Sequence, residues 1–161
     1  TTSRRRVVTA AGLGGLMLAG TGVAAARGHN RNFRTHLKGR NEVPPVDTDA
    51  QGQALFKLSK DGSELHYKIN VAHIDDVTQA HIHLAPAGEN GGVVAFLFGF
   101  VSGGVTVNGT LVEGTLTETD LIGALSGQTL ADLADEMRSG NTYVNVHTVA
   151  IPSGEIRGQI R

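Results

Sequence analysis

Two histidines stand two residues apart in Gln79-Ala80-His81-Ile82-His83-Leu84, alternating with Ala80, Ile82 and Leu84. Successive side chains of a β-strand point to opposite faces, so His81 and His83 project together and the apolar trio projects the other way. A rigid strand can then offer two imidazoles to one ion without a loop closing around it. A third histidine recurs in Tyr143-Val144-Asn145-Val146-His147, on the face of Tyr143 and Asn145 and opposite Val144 and Val146. In the last stretch Glu155, Arg157 and Gln159 alternate with Ile156, Gly158 and Ile160. If this C-terminal pair lies beside the His-x-His strand, three imidazoles meet with a carboxylate and a guanidinium nearby. Three neutral imidazoles suit copper or zinc, and an incomplete protein shell leaves a position for water or substrate. Glu42, in the loop Asn41-Glu42-Val43-Pro44-Pro45, is a carboxylate that a loop between strands could bring over the site. Glu155, Asn145 and Tyr143 are the other candidate neighbours or alternative ligands.

The remaining histidines read as surface or structural groups. His29 precedes the folded part, His36 and His66 point out among lysines and arginines, and His73 ends a strand before Ile74-Asp75-Asp76. Neither a nucleophile elbow nor a phosphate-cradling glycine loop is present, because the glycines fall at turns.

The elements that must position these groups are mostly short strands. Phe33 to Leu37, Ala54 to Leu58, Leu65 to Val71, Gln79 to Leu84, Val93 to Phe100, Val105 to Leu111, Gly114 to Thr117, Thr142 to Thr148 and Glu155 to Ile160 read as β. Lys60-Asp61-Gly62-Ser63 makes a hairpin turn, since glycine accepts positive φ. Helical spacing of Leu130, Leu133, Ala134 and Met137 predicts one helix over 129–138, capped by Thr129 and Asp132 and ended by Gly140. Asp120 to Leu125 reads as a short helical turn. The expected class is all-β: an antiparallel Greek-key sandwich or barrel with one short helix.

The chain has 161 residues, 22 glycines and no cysteine, with a formal net charge of −1. One domain therefore folds without disulfides, and a metal site must use histidine, carboxylate, amide or backbone ligands. Ser3-Arg4-Arg5-Arg6-Val7-Val8, an uncharged Gly/Ala/Leu-rich run from Ala10 to Ala25, and Ala24-Ala25-Ala26 have the layout of a signal peptide of the twin-arginine kind. Residues 1–26 are thus expected to be removed on export, leaving a flexible lead-in at 27–32, a domain at 33–161 and no membrane span. Loss of the leader leaves eleven basic against fifteen acidic residues, a charge of −4 with no footprint for nucleic acid. A secreted, periplasmic or cell-surface location follows.

Five segments in order, Leu37 to Pro45, Ala80 to His83, Gly88 to Val93, Tyr143 to Thr148 and Pro152 to Gln159, resemble the CHRD domain family. That family takes its name from chordin, an extracellular antagonist of growth-factor signalling, and includes stand-alone exported bacterial proteins. The resemblance covers Phe33 to Arg161 and marks Glu42, His81, His83, His147, Glu155 and Arg157 as signature positions. A looser similarity is to copper-zinc superoxide dismutases, whose copper is held partly by a strand His-x-His pair and a later histidine, with an arginine near the open copper face. His81, His83, His147 and Arg157 match those roles, whereas that family's bridging histidine, zinc loop and disulfide cysteines have no counterpart here.

The reading that follows is an exported domain binding copper or zinc through His81, His83 and His147. Its reaction, if it is an enzyme, would be superoxide dismutation at copper, with Arg157 acting in catalysis by steering a small anionic substrate. The alternative is a metal-free adhesion or ligand-binding module with an extracellular protein or glycan partner.

Overall fold

The computed structural model describes residues 30–161; the expected leader and residues 27–29 of the lead-in lie outside them. Eight strands form one antiparallel sheet: β1 Asn32–Lys38, β2 Gln51–Leu58, β3 Leu65–Ala72, β4 Val77–Leu84, β5 Gly92–Phe98, β6 Gly109–Leu116, β7 Thr142–Thr148 and β8 Ile156–Gln159. Their spatial order is β5-β4-β7-β8-β1-β2-β3-β6. The edges β5 and β6 approach each other, so the sheet is nearly closed. Of the two closures expected, sandwich or barrel, the single curled sheet is the barrel.

Only β1-β2-β3, β4-β5 and β7-β8 join neighbours in sequence; β6 returns to β3, β7 to β4 and β8 to β1. These returns carry the segments between strands across the barrel, and the C-terminal pair lands beside the His-x-His strand.

One face of every strand feeds a common core. Phe33 and Leu37 of β1, Ala54 and Phe56 of β2, Ile69 and Val71 of β3, Ala80 and Ile82 of β4, Val144 and Val146 of β7 and Ile156 of β8 all pack into it. The helix α1, Leu130–Ser139, adds Leu130, Leu133, Ala134 and Met137 from the face its 3.6-residue period lines up. Thr129 accepts from the Asp132 amide and Asp132 reaches back to the Thr129 amide, closing the expected capping box.

Two expectations change in detail. The stretches Val105–Leu111 and Gly114–Thr117 merge into β6, which begins only at Gly109, while Val105 makes a single bridge to Val77. The turn expected over 120–125 is two short 3-10 turns, 118–120 and 123–125.

Candidate metal centre

β4 and β7 pair so that His81 faces Asn145, His83 faces Tyr143 and Gln79 faces His147. Asn145 in turn faces Arg157 on β8. A row across three strands therefore reads His81, Asn145, Arg157, with His83 and Tyr143 one step along and His147 one step back. All lie on the face opposite Ile82, Val144 and Ile156, as the alternation requires.

That outer face is buried. His81, His83, Tyr143, Asn145, His147 and Arg157 are each less than a tenth exposed. Loops cover them. The β4–β5 loop is held down by Arg157, which donates to the Glu89 carbonyl at 2.5 Å and to Asn90 Oδ1 at 2.9 Å. Asn90 donates onward to the Val43 carbonyl at 2.8 Å, tying in the loop that carries Glu42. The guanidinium lies 3.4 Å from the centre of the Tyr143 ring, and Tyr143 stacks on His83 with 4.7 Å between centroids. Arg157, Tyr143 and His83 thus form a stack in which the cation fixes the aromatic and the aromatic fixes the imidazole.

The imidazole tautomers follow from their partners. His83 Nδ1 lies 2.9 Å from the Gly91 carbonyl and His147 Nδ1 lies 2.9 Å from the Pro152 carbonyl. A carbonyl only accepts, so each Nδ1 carries the hydrogen and each Nε2 presents a lone pair, that of His147 also lying 3.0 Å from the Asn145 side-chain amide. His81 Nδ1 stands 3.1 Å from His147 Nε2, so it donates there and leaves its own Nε2 bare. The Nε2 atoms of His81 and His83 are buried without any partner. Buried polar atoms are rarely left so, and an ordered water or an ion is the usual partner where they are. A cation fits the donor chemistry: neutral nitrogen lone pairs with the opposite ring nitrogen anchored to backbone carbonyls.

All three side chains offer a ligand atom within 4.8 Å of the others. Ligand bonds of about 2 Å call for roughly 3 to 3.5 Å between donors in a closed shell, a spacing that His81 Nδ1 and His147 Nε2 already have at 3.1 Å. Phe96 packs edge-on against His81 at 4.7 Å and is half exposed, leaving this as the thinly covered side.

Burial also sets the protonation. The His81 imidazole is pushed down to about 4 by burial, and the charges that His147 and His83 would carry add to the effect. Burial likewise lowers His83 and His147, although the Gly91 and Pro152 carbonyls pull each partly back. Near neutral pH all three are uncharged, the form a metal requires.

Glu42 is buried, and burial raises its carboxyl to about 7 against the opposing charge of Arg157. Its Oε1 has no hydrogen-bond partner. It is brought up to Asn145 by Gly154, where a Cβ would come within 2.7 Å of Glu42 Oε1 and 2.8 Å of Asn145 Nδ2. Glu155 has a different setting: Oε1 accepts from Thr48 and Oε2 from Thr148, both at 2.7 Å.

His36 and His66 are exposed, and His73 is an exposed turn residue at φ 55. Sequence reasoning did not single out Gly91, Pro152, Glu89 or Phe96. The first three act through backbone carbonyls, which residue type does not advertise, and Phe96 read only as one apolar residue in a strand.

The family model of the CHRD domain matches residues 33–160. Chordin of Xenopus laevis is 31% identical over 133 residues, covering 77% of this chain and 12% of chordin. The chain thus spans a small part of that relative's length. No helix among the described residues is long and apolar enough to cross a membrane. With a family match over nearly all of the described residues, the chain belongs to the CHRD domain family.

Proposed function

We propose that this is an exported domain that binds one copper or zinc ion through His81, His83 and His147. The observation that carries this reading is the pair of buried, unpartnered Nε2 atoms on His81 and His83, gathered with His147 so that one ligand atom of each lies within 4.8 Å of the others. The export half rests on the twin-arginine leader in residues 1–26. Copper held here would supply one-electron chemistry, and superoxide dismutation is the reaction class we assign to it. Zinc would leave a binding domain without redox turnover.

Within that function the three imidazoles hold the ion, and Gly91 and Pro152 fix two tautomers through their carbonyls. Arg157 touches loop groups and Tyr143, so its part is to position the His83 side of the site and to place a positive charge that favours an anionic substrate. Glu42, largely protonated below pH 7, can hold a proton beside Asn145.

Elemental analysis of the mature protein beside the His81→Ala/His83→Ala variant tests the site. About one copper or zinc per chain, lost in the variant, is the expected result. Absence of metal after incubation with both ions would sink it.

The second reading is a metal-free binding module. It is favoured by Phe96 on the edge strand β5 and Phe100 just beyond it, 50% and 72% exposed, which offer apolar surface to a partner. A metal-free protein that captures an extracellular partner, and loses it on Phe100→Ser, would establish that reading instead.

A further inference from the structure

β1 carries basic or imidazole side chains at successive outward positions: Arg34, His36 and Lys38, followed by Arg40 in the next turn, all exposed. A strand rises about 3.3 Å per residue, so the three strand groups recur every 6.6 Å or so in a straight row. The register widens this row. Arg34 stands opposite Leu55 on β2, whose other neighbour is Lys68 on β3, and Lys57 lies two residues further along β2. On the other side Arg34 and Arg161 exchange both backbone hydrogen bonds, at 2.8 and 3.1 Å, so two arginines face each other directly.

Such a pairing works against the fold. Like charges opposite one another on neighbouring strands destabilise a sheet. Neither Arg34 nor Arg161 has a salt-bridging carboxylate among the described residues, where Lys68 with Glu113 is the one ion pair on this face that involves a lysine or arginine. Acids outnumber bases fifteen to ten over residues 30–161, yet no outward position of β1 or β2 holds one. A domain of net negative charge thus gathers Arg34 and Lys38 of β1, Arg40, Lys57, Lys68 and Arg161 on one face.

Two grooves flank that strand. One, of about 760 Å³, has Arg34, Lys57, Lys68 and Arg161 against the single acid Glu113; the other, of about 730 Å³, has Arg34, His36, Arg40, Arg157 and Arg161 against the single acid Glu42. Arg34 and Arg161 form the ridge between them.

We infer that β1 and its flanking grooves dock a linear anionic polysaccharide bearing carboxylate or sulfate groups. Arg34 and Lys38, about 13 Å apart along the strand with His36 between them as a hydrogen-bonding group, match an extended chain of spaced anions, and guanidinium forks bind both oxyanions in bidentate fashion. Single-stranded nucleic acid would need aromatic platforms for its bases. Here Phe33 and Phe56 are buried and the Tyr67 ring packs against the core beside Phe56. A bilayer would need apolar side chains to insert, and among the outward positions of β1, β2 and β3 Leu55 is the one exposed large apolar group. The histidines themselves line neither groove, although Glu42 and Arg157 line the second, so metal content of the triple variant is measured beside its polysaccharide affinity to keep the two readings separate.

The test is calorimetric titration of the full domain with dextran sulfate and with polygalacturonate, neutral dextran serving as the blank. Binding is expected to one or both, weakening steeply as salt rises from about 50 to about 200 mM. The triple variant Arg34→Gln/Lys38→Gln/Arg40→Gln should lose affinity about tenfold or more, with an unchanged circular dichroism spectrum, while Lys60→Gln in the distant hairpin turn keeps parental affinity. Parental affinity in the triple variant, equal binding of neutral dextran, or no binding at low salt would overturn the inference. Tighter binding to single-stranded DNA or to phosphatidylglycerol vesicles than to either polysaccharide would overturn it in favour of those partners.

Discussion

On β1 and β2 the outward side chains Arg34, His36, Lys38, Leu55 and Lys57 stand in solvent, whereas on β4 and β7 the outward His81, His83, Tyr143, Asn145 and His147 are all buried. Both halves belong to one sheet, and both alternate between an apolar and a polar face. The difference is the loops. Those carrying Glu42, Glu89 to Gly91 and Pro152 fold over β4, β7 and β8 and leave β1, β2 and β3 open. A polar side chain in water keeps its hydrogen bonds at no cost, but one taken under a loop must find each partner again. The covered half therefore has a fixed network with few orphans, and three of the four among the described residues, on Glu42, His81 and His83, lie at the site, the fourth being Thr142 on the core face of β7. The open half has freedom to carry unpaired charge.

The sharpest way to break this contrast is to remove one cation from each half. Arg157→Ala deletes two loop-holding hydrogen bonds and the stack on Tyr143, and should cost about 3 kcal/mol in denaturant unfolding. Amide exchange at Asn90 and Gly91 should rise with it, since those residues lose their tether. A loss below half of that figure would mean that the loops hold themselves down.

Gly154→Ala should cost about 2 kcal/mol. It combines a backbone at φ 122 with a Cβ driven against Glu42 and Asn145. Lowered metal occupancy in the same variant would connect the Glu42 loop to the histidines, and unchanged occupancy would separate them.

Glu42→Gln sharpens the comparison through pH. The Glu42 carboxyl is raised from 4.5 to about 7 in the fold, so the unfolded chain ionises first as pH climbs. Its contribution to stability is complete below about 4.5 and is lost by about 7. The variant has no such loss, so its melting temperature relative to the parent should increase between pH 4.5 and 7 in metal-free protein. His81 runs the other way, losing stability as pH falls from 6.5 toward about 4, and is common to both proteins. A pH-independent difference would mean that Glu42 is not held protonated.

The smallest effect belongs to the open half. Lys68→Gln removes an exposed partner of Glu113 and should change stability by about 0.5 kcal/mol or less, measured as the Arg157 variant is.

Much of this was legible in the chain. Leu65, Tyr67, Ile69 and Val71 announced the inner face of β3, and Leu130, Leu133, Ala134 and Met137 announced α1 with both its ends. Period and capping are local properties, settled by neighbours a few residues away. His81 and His83 were placed on one face for the same reason. Val105 to Gly109 misled because short apolar stretches near a strand look like strand, and only the pairing with β3 shows where the ladder starts.

What the sequence determined by itself was which side chains share a face, because that depends on the two-residue period of an extended backbone. Tertiary structure decided three things that depend on long-range pairing. It put His147 beside His81 across β4 and β7, it set Arg157 under the Glu89–Asn90 loop and over Tyr143, and it chose which polar face to cover. Nothing within a strand distinguishes a polar face that will meet water from one that will meet a loop, since the alternation is identical and the covering groups lie up to 116 residues away in the chain.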